Sequence, residues 1–282
     1  MASNMAGHAQ RAKGTGRQVA GSPWFHKFSR AGLAARGVIY LLIGFIAVQI
    51  GLGDSGKEAD RSGALGAVAD KPGGMIILWV VVIAFLGLAL WRFSEAAFGQ
   101  PLPDGHKPVK RLTSLARGIV YTALFAGMLG FLLGHGAQSS DKQSQTFTAK
   151  AMDAPLGRWL VLAVGLGFLA YGVGNIVTSA KHKFLEKLKT GEMSPQQVKV
   201  VKILGMVGGI ARGLVFGGVG VFISYAAITF DPEKAKGLDG TLREFADTPA
   251  GPWLLILVAI GVAVYGAYCF AEARWRKVEA AR

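Results

Sequence analysis

The sequence predicts an all-α membrane protein. Six transmembrane helices form three tandem hairpin repeats with pseudo-three-fold symmetry, and both termini lie on the cytoplasmic side. Three observations carry this reading. Only 17% of the 282 residues are charged and mean hydropathy is +0.39. Basic residues concentrate in alternate loops. One set of short motifs recurs three times at nearly constant spacing. This composition excludes a soluble enzyme and a disordered chain. The single cysteine, Cys269, excludes a disulfide scaffold.

Six stretches contain no Asp, Glu, Lys or Arg: Gly37–Gly53, Pro72–Trp91, Gly118–Gly134, Trp159–Ala180, Gly213–Phe230 and Thr248–Ala271. A helix rises 1.5 Å per residue, so about 20 residues cross a hydrocarbon core of about 30 Å. The shorter stretches continue N-terminally through one Arg into further apolar sequence. The predicted spans are 31–53, 73–97, 112–134, 156–180, 203–230 and 251–274. No segment alternates apolar and polar residues over a strand length, which excludes a β-barrel. The leader, 1–29, is basic: Gly- and Ala-rich and disordered to Gly21, then a helix start with Ser22 as N-cap and Pro23 in the first turn. It is no cleavable signal peptide, being too long and polar before the first apolar run.

Charge fixes the expected topology. The N-terminal tail, 99–111, 181–202 and the C-terminal tail together hold 18 basic and 4 acidic residues. The loops 54–71, 135–155 and 231–250 hold 8 basic and 11 acidic. Positive residues stay inside, so alternate loops are cytoplasmic in a bacterial inner (plasma) membrane, and the net charge of +14 faces anionic headgroups. No basic module with interleaved aromatics is present, so nucleic acid is not an expected partner.

The repeat is read from Ala-Arg-Gly at 35–37, 116–118 and 211–213, each early in an odd-numbered helix. An aromatic follows each Arg by four: Tyr40, Tyr121, Phe216. Asp-x-Pro-x-Gly recurs at Asp70, Asp153 and Asp247, which lie 34, 36 and 35 residues after the respective Arg. Glu95, Thr178 and Glu272 stand 25 residues after each Asp. The boundaries are 30–99, 100–180 and 203–276, with a basic linker at 181–202 and a tail at 277–282. Each unit holds two spans, so all three share one orientation, a parallel repeat.

These residues resemble the bacterial membrane family catalogued as domain of unknown function 1206. The resemblance covers about 28–276 and implies the same two-helix unit in triplicate. Repeat one departs from the Tyr-Gly shared by 171–172 and 265–266, having Leu88-Ala89. The resemblance implies no activity.

Asp70, Asp153 and Asp247 are expected as N-caps of the even helices, where an acid also meets the positive end of the dipole. Short surface helices are expected just before them, over 63–69, 145–152 and 240–246. Arg36, Arg92, Arg117 and Arg212 fall near the cytoplasmic boundary of the hydrocarbon. The Arg lies about 26 Å of helix from its outer end, and Glu95 or Glu272 about 31 Å from the start of its own helix. Pairing Arg36 with Glu95 and Arg212 with Glu272 within their hairpins would offset the cost of charge in this layer. Arg117 faces Thr178 instead of an acid. The layer reads first as structural pairing, and second as a site for an anionic lipid headgroup or small anion. Small-residue stripes at Gly205, Gly209, Gly213, Gly217 and at Ala259, Ala263, Ala267, Ala271 suit close helix packing, inside the bundle or at a homo-oligomer interface.

Enzyme signatures are absent. The five His residues lie in tails, loops or at a helix end and have no ligand spacing, so neither metal nor cofactor is expected. Gly-x-Gly-x-x-Gly at 51–56 follows a membrane helix rather than a strand and is dismissed. The leading expectation is a non-catalytic integral membrane scaffold or anionic-lipid-interacting module. The alternative is a channel or transporter for a small anion or amphiphile along the pseudo-three-fold axis.

Overall fold

The computed structural model describes residues 23–53, 58–99, 107–135, 139–246 and 251–277. Six long helices dominate: α1 (Pro23–Gly51), α3 (Gly74–Phe98), α4 (Pro108–Leu132), α6 (Gly157–Ala180), α7 (Pro195–Thr229) and α9 (Gly251–Trp275). Each is long and apolar enough to cross a membrane. Three short helices precede the even spans: α2 (Arg61–Ala69), α5 (Ser140–Met152) and α8 (Leu238–Ala246). The leader to Ser22, and with it the proposed N-cap, lies outside the described residues, as does Asp247.

Helix α7 begins at Pro195, eight residues before the expected span. Ser194 and Gln197 form a reciprocal capping box there. The basic linker before it carries short 3₁₀ turns at Lys183–Lys187 and Thr190–Glu192. It is stitched to the end of α9: Lys189 N–H donates to the Trp275 carbonyl (2.8 Å) and Lys277 N–H to the Lys187 carbonyl (3.0 Å).

The main packed pairs join each even helix to the odd helix that follows it: α3 on α4, and α6 on α7. Helix α9 packs as closely on α1, so the last span meets the first. Within repeats, α1 packs on α3 and α7 on α9, but α4 and α6 form no packed pair. Small residues permit the close approaches. A Cβ at Gly209 would collide with Ser179, one at Gly213 with Ile176 and the Gly172 carbonyl, and one at Gly44 with Ala263. These parts of both stripes therefore serve contacts within the chain.

One apolar cluster (Ile43, Ile46, Ala47, Val215, Leu255, Val258, Val262) unites α1, α7 and α9. A second (Leu78, Val82, Phe85, Met128) unites α3 and α4.

The Asp-x-Pro-x-Gly motif forms a corner, not an N-cap. Asp70 and Asp153 terminate the short helices α2 and α5 as C-caps. The N-caps of α3 and α6 are Gly73 and Leu156, with no side-chain capping bond. Between them the chain makes a tight turn: Gly74 N–H donates to the Lys71 carbonyl (2.8 Å), and Gly157 N–H to that of Ala154 (2.9 Å). Pro occupies the second position, and the third is left-handed, φ 76° at Gly73 and 62° at Leu156, as in a type II turn. The final Gly is dictated by space, since a Cβ at Gly74 or Gly157 would strike the carbonyl of Val68 or Ala151. The Pro-led turn uses up the residues that separate each Asp from the next helix, which leaves the carboxylate too early in the chain to cap it.

Leu156 therefore adopts a conformation that costs a non-glycine residue about 1–2 kcal/mol, while its side chain is 77% exposed and packs little. Leu156→Gly is expected to raise stability by about 0.5–1 kcal/mol, after the extra unfolded-state freedom of Gly is deducted. Thermal unfolding in detergent checks this, with Gly73→Leu moving the opposite way.

Candidate functional site

The basic end of the bundle, where α3 stops and α4 begins, holds a layer of charge. Its centre is Glu272 on α9, 5% exposed. Glu272 pairs with Arg36 of α1 and with Arg276, one turn further on. Arg36 also donates from Nη1 to the Tyr121 hydroxyl of α4 (2.9 Å). On α3, Arg92 and Glu95 pair at 2.6 Å, and the Ser114 hydroxyl donates to Glu95 (3.1 Å). The Arg92 guanidinium lies 4.3 Å from the Trp91 ring centroid, and that of Arg276 lies 4.9 Å from the same ring.

Arg212 of α7 has no carboxylate. Its Nε donates to the Tyr40 hydroxyl (3.0 Å), Nη1 to Asn175 Oδ1 (3.0 Å) and Nη2 to the Tyr171 hydroxyl (2.6 Å). The Tyr265 and Phe216 rings lie beside it at 5.0 and 4.9 Å. Cation–π contact and three hydroxyl or amide oxygens replace the ion pair.

Pairing within each hairpin, Arg36 with Glu95 and Arg212 with Glu272, is therefore corrected. Glu272 serves Arg36 of another repeat, and Glu95 serves Arg92 on its own helix. The cause is the packing order: each odd helix lies closest to the even helix of the preceding repeat, so that helix presents the nearest acceptors.

The same order explains Arg117, which has no hydrogen-bond partner among the described residues. Arg36 and Arg212 each donate to the tyrosine four residues beyond an Arg in another repeat, Tyr121 and Tyr40. The remaining such position is Phe216, which has no hydroxyl. Arg212 takes Tyr171 and Asn175 from α6, and the equivalent residues of α3 are Leu88 and Arg92. The Glu95 carboxylate is held by Arg92 and Ser114. Thr178 does not decide the matter, since the relevant acceptors lie on α3.

Lys187 of the linker joins the layer unforeseen by sequence. It stands in electrostatic reach of Arg276, Arg117, Glu272 and Arg92, and burial pushes its ammonium down to about 7. Six basic side chains (Arg36, Arg92, Arg117, Arg212, Arg276 and Lys187) thus face two carboxylates.

The opposite end has its own ring of acids. Asp60 Oδ1 accepts from the Ser62 and Gly63 amides at the start of α2, and Oδ2 from the Ser140 amide (2.5 Å). Asp141 Oδ1 accepts from the Gly237 and Gly240 amides (2.8 and 3.0 Å). Asp239 Oδ1 accepts from the Ala59 amide (2.6 Å). These are the acids that accept amides at the N-terminal ends of helices, whereas Asp70 and Asp153 are C-caps. Asp60 and Asp141 each follow their repeat's Arg by 24 residues, a spacing that marks them in the sequence.

A double-mutant cycle on Arg36→Gln and Glu272→Gln is expected to give a coupling of about 1–3 kcal/mol, as for residues in one buried network. Cycles on Arg36/Glu95 and Arg212/Glu272 are expected to stay below about 0.5 kcal/mol. Unfolding of the single and double variants in detergent measures all three.

Comparison with known proteins follows the same threefold division. Residues 31–99, 112–182 and 207–276 each match the family described as Domain of Unknown Function (DUF1206). A relative, "Uncharacterized protein YxxB" of Bacillus subtilis (strain 168), is 31% identical over 251 residues, 87% of this chain and 89% of that protein. No solved structure matches. With three consecutive matches spread over most of its length, the chain belongs to the DUF1206 family.

Proposed function

We propose that the protein is a non-catalytic, multi-pass scaffold of the bacterial inner membrane that holds anionic lipid headgroups at its basic end. The observation that carries this reading is the imbalance of the layer, five arginines and Lys187 around Glu95 and Glu272. Buried or half-buried cations in excess of acids favour an external anion, because each unpaired charge otherwise bears its own desolvation. The basic end is taken as cytoplasmic from the distribution of Lys and Arg between alternate loops. The recurrent contact of each odd helix with the even helix of the preceding repeat, α1 on α9 included, supports a pseudo-three-fold arrangement.

A pore along the axis is disfavoured. The α1–α7–α9 junction is filled by Ile43, Ile46, Val215, Leu255, Val258 and Val262. At the charged layer Tyr40 and Tyr265 pack edge to face, 4.9 Å between centroids. Nothing in that cluster offers a polar path between the two ends.

Two measurements test the reading. Native mass spectrometry of protein extracted in mild detergent is expected to retain phosphatidylglycerol or cardiolipin in preference to phosphatidylethanolamine. Retention without regard to headgroup charge would remove the lipid role. In intact cells, Lys199→Cys is expected to be labelled only after the membrane is breached, and Lys142→Cys by an impermeant thiol reagent added outside. Cys269 is fully buried and gives a silent background. The reverse pattern would overturn the orientation.

A further inference from the structure

Three features converge on one side of the bundle. The first is the pair Arg117 and Lys187, whose side chains have no hydrogen-bond partner among the described residues. Arg92 and Arg276, in electrostatic reach of both, carry buried Nε–H groups that also lack an acceptor. The second is the seam between α4 and α6, the one adjacent pair within a repeat that does not pack. Gly167, Tyr171 and Gly174 share a face of α6, and a Cβ at either glycine would meet nothing within 4 Å. On α4, Val120, one turn beyond Arg117, is exposed. Tyr121 and Tyr171, both in electrostatic reach of Arg117, tie the seam to the layer. The third is the linker, which crosses the basic end and is fastened to α9 at Leu188 and Arg276.

These features define an access route. From the polar phase, the linker stands over the layer and inserts Lys187. From the bilayer, the seam leads between two helices to Arg117 with no packed contact in the way. An occupant that suits both the apolar walls and the cationic end is an anionic amphiphile. Two separate donor groups, a planar guanidinium fork and an amine, match the multiple oxygens of a phosphate better than the two of a carboxylate.

We propose that Arg117 and Lys187 form the headgroup site for a single phosphate-bearing amphiphile that enters sideways between α4 and α6 and leaves its chains in the seam. This rests on the reading of the layer as an anionic-headgroup site, and it assigns the place, the route and the headgroup chemistry.

The test uses the full-length protein in phosphatidylcholine nanodiscs, titrated with phosphatidic acid or with inorganic phosphate. Bound species are read by native mass spectrometry and by the shift in thermal unfolding. Wild type is expected to take up one phosphatidic acid. Arg117→Gln and Lys187→Gln are each expected to weaken uptake at least tenfold, with Arg117→Lys keeping part of it. Gly167→Leu, on the same face of α6 about two turns from Asn175, is expected to weaken uptake of the lipid and leave inorganic phosphate unchanged. Lys187 lies outside the spans, so its variant keeps the test valid if Arg117→Gln folds poorly. Wild-type uptake that neither charge variant alters would overturn this site and leave the broader layer reading standing. Inorganic phosphate bound as tightly as the lipid, with Gly167→Leu neutral, would assign the site to a free anion and overturn lateral entry. Wild type that binds neither probe would overturn both readings.

Discussion

The structure depends on how the charge of Glu272 is held. A carboxylate this deeply buried persists only with cations beside it, because its desolvation otherwise costs several kcal/mol. Arg36 comes from the first span, while Glu272 and Arg276 belong to the last. The pair therefore fastens the two chain ends of a six-helix array, and α1 and α9 gain the close glycine and alanine contacts of Gly37, Gly44 and Gly266 along the same face. The linker is then positioned by the same group, since Arg276 lies in the bridge to Leu188. Ring closure, linker docking and the arrangement of the cation layer share this one carboxylate.

The spans were legible in the sequence because their signal is local. Absence of charge over twenty residues is a signal carried by each segment alone, and all six such segments are long apolar helices. The short helices α2, α5 and α8 were legible too, since three loops of matched length repeat them. Partners were not legible, and the reason is specific. Equal depth places Arg36 level with both Glu95 and Glu272, and depth alone does not choose between them. The choice belongs to the lateral packing of helices, which depends on Gly209, Gly213 and Gly44 meeting residues of other repeats. The hairpin is the unit of sequence, whereas the unit of packing is an even helix with the odd helix that follows.

The Asp-x-Pro-x-Gly motif shows a related ambiguity. Asp before a helix is a good N-cap signal, yet here two helices meet at the motif and Asp is counted by the wrong one. The decisive residues are the least chemical: the position after Pro must be left-handed, and the final Gly must clear a carbonyl. The true terminal acids, Asp60, Asp141 and Asp239, sit at the other end of the short helices. There each accepts a backbone amide from another repeat, and Asp60 accepts local amides as well. Each short helix thus borrows a capping group from another repeat, as Arg36 and Arg212 each borrow a hydroxyl.

Repeats that pack by one rule reveal where the rule is broken. Arg36 and Arg212 each take the repeat-equivalent tyrosine, Tyr121 or Tyr40, and a further acceptor from the preceding even helix, and the residues around Arg117 that correspond to the Tyr40, Tyr171 and Asn175 of Arg212 are Phe216, Leu88 and Arg92. Three departures on two helices, all removing an acceptor from the same guanidinium, leave Arg117 without a hydrogen-bond partner among the described residues. The same repeat is the one whose two spans do not pack together, so the unsatisfied charge and the open seam lie side by side. A repeat protein built for stability alone would gain from Tyr at 216 and from contact between α4 and α6. Their joint absence in one sector concentrates both the electrostatic demand and the space to meet it at a single edge of the ring.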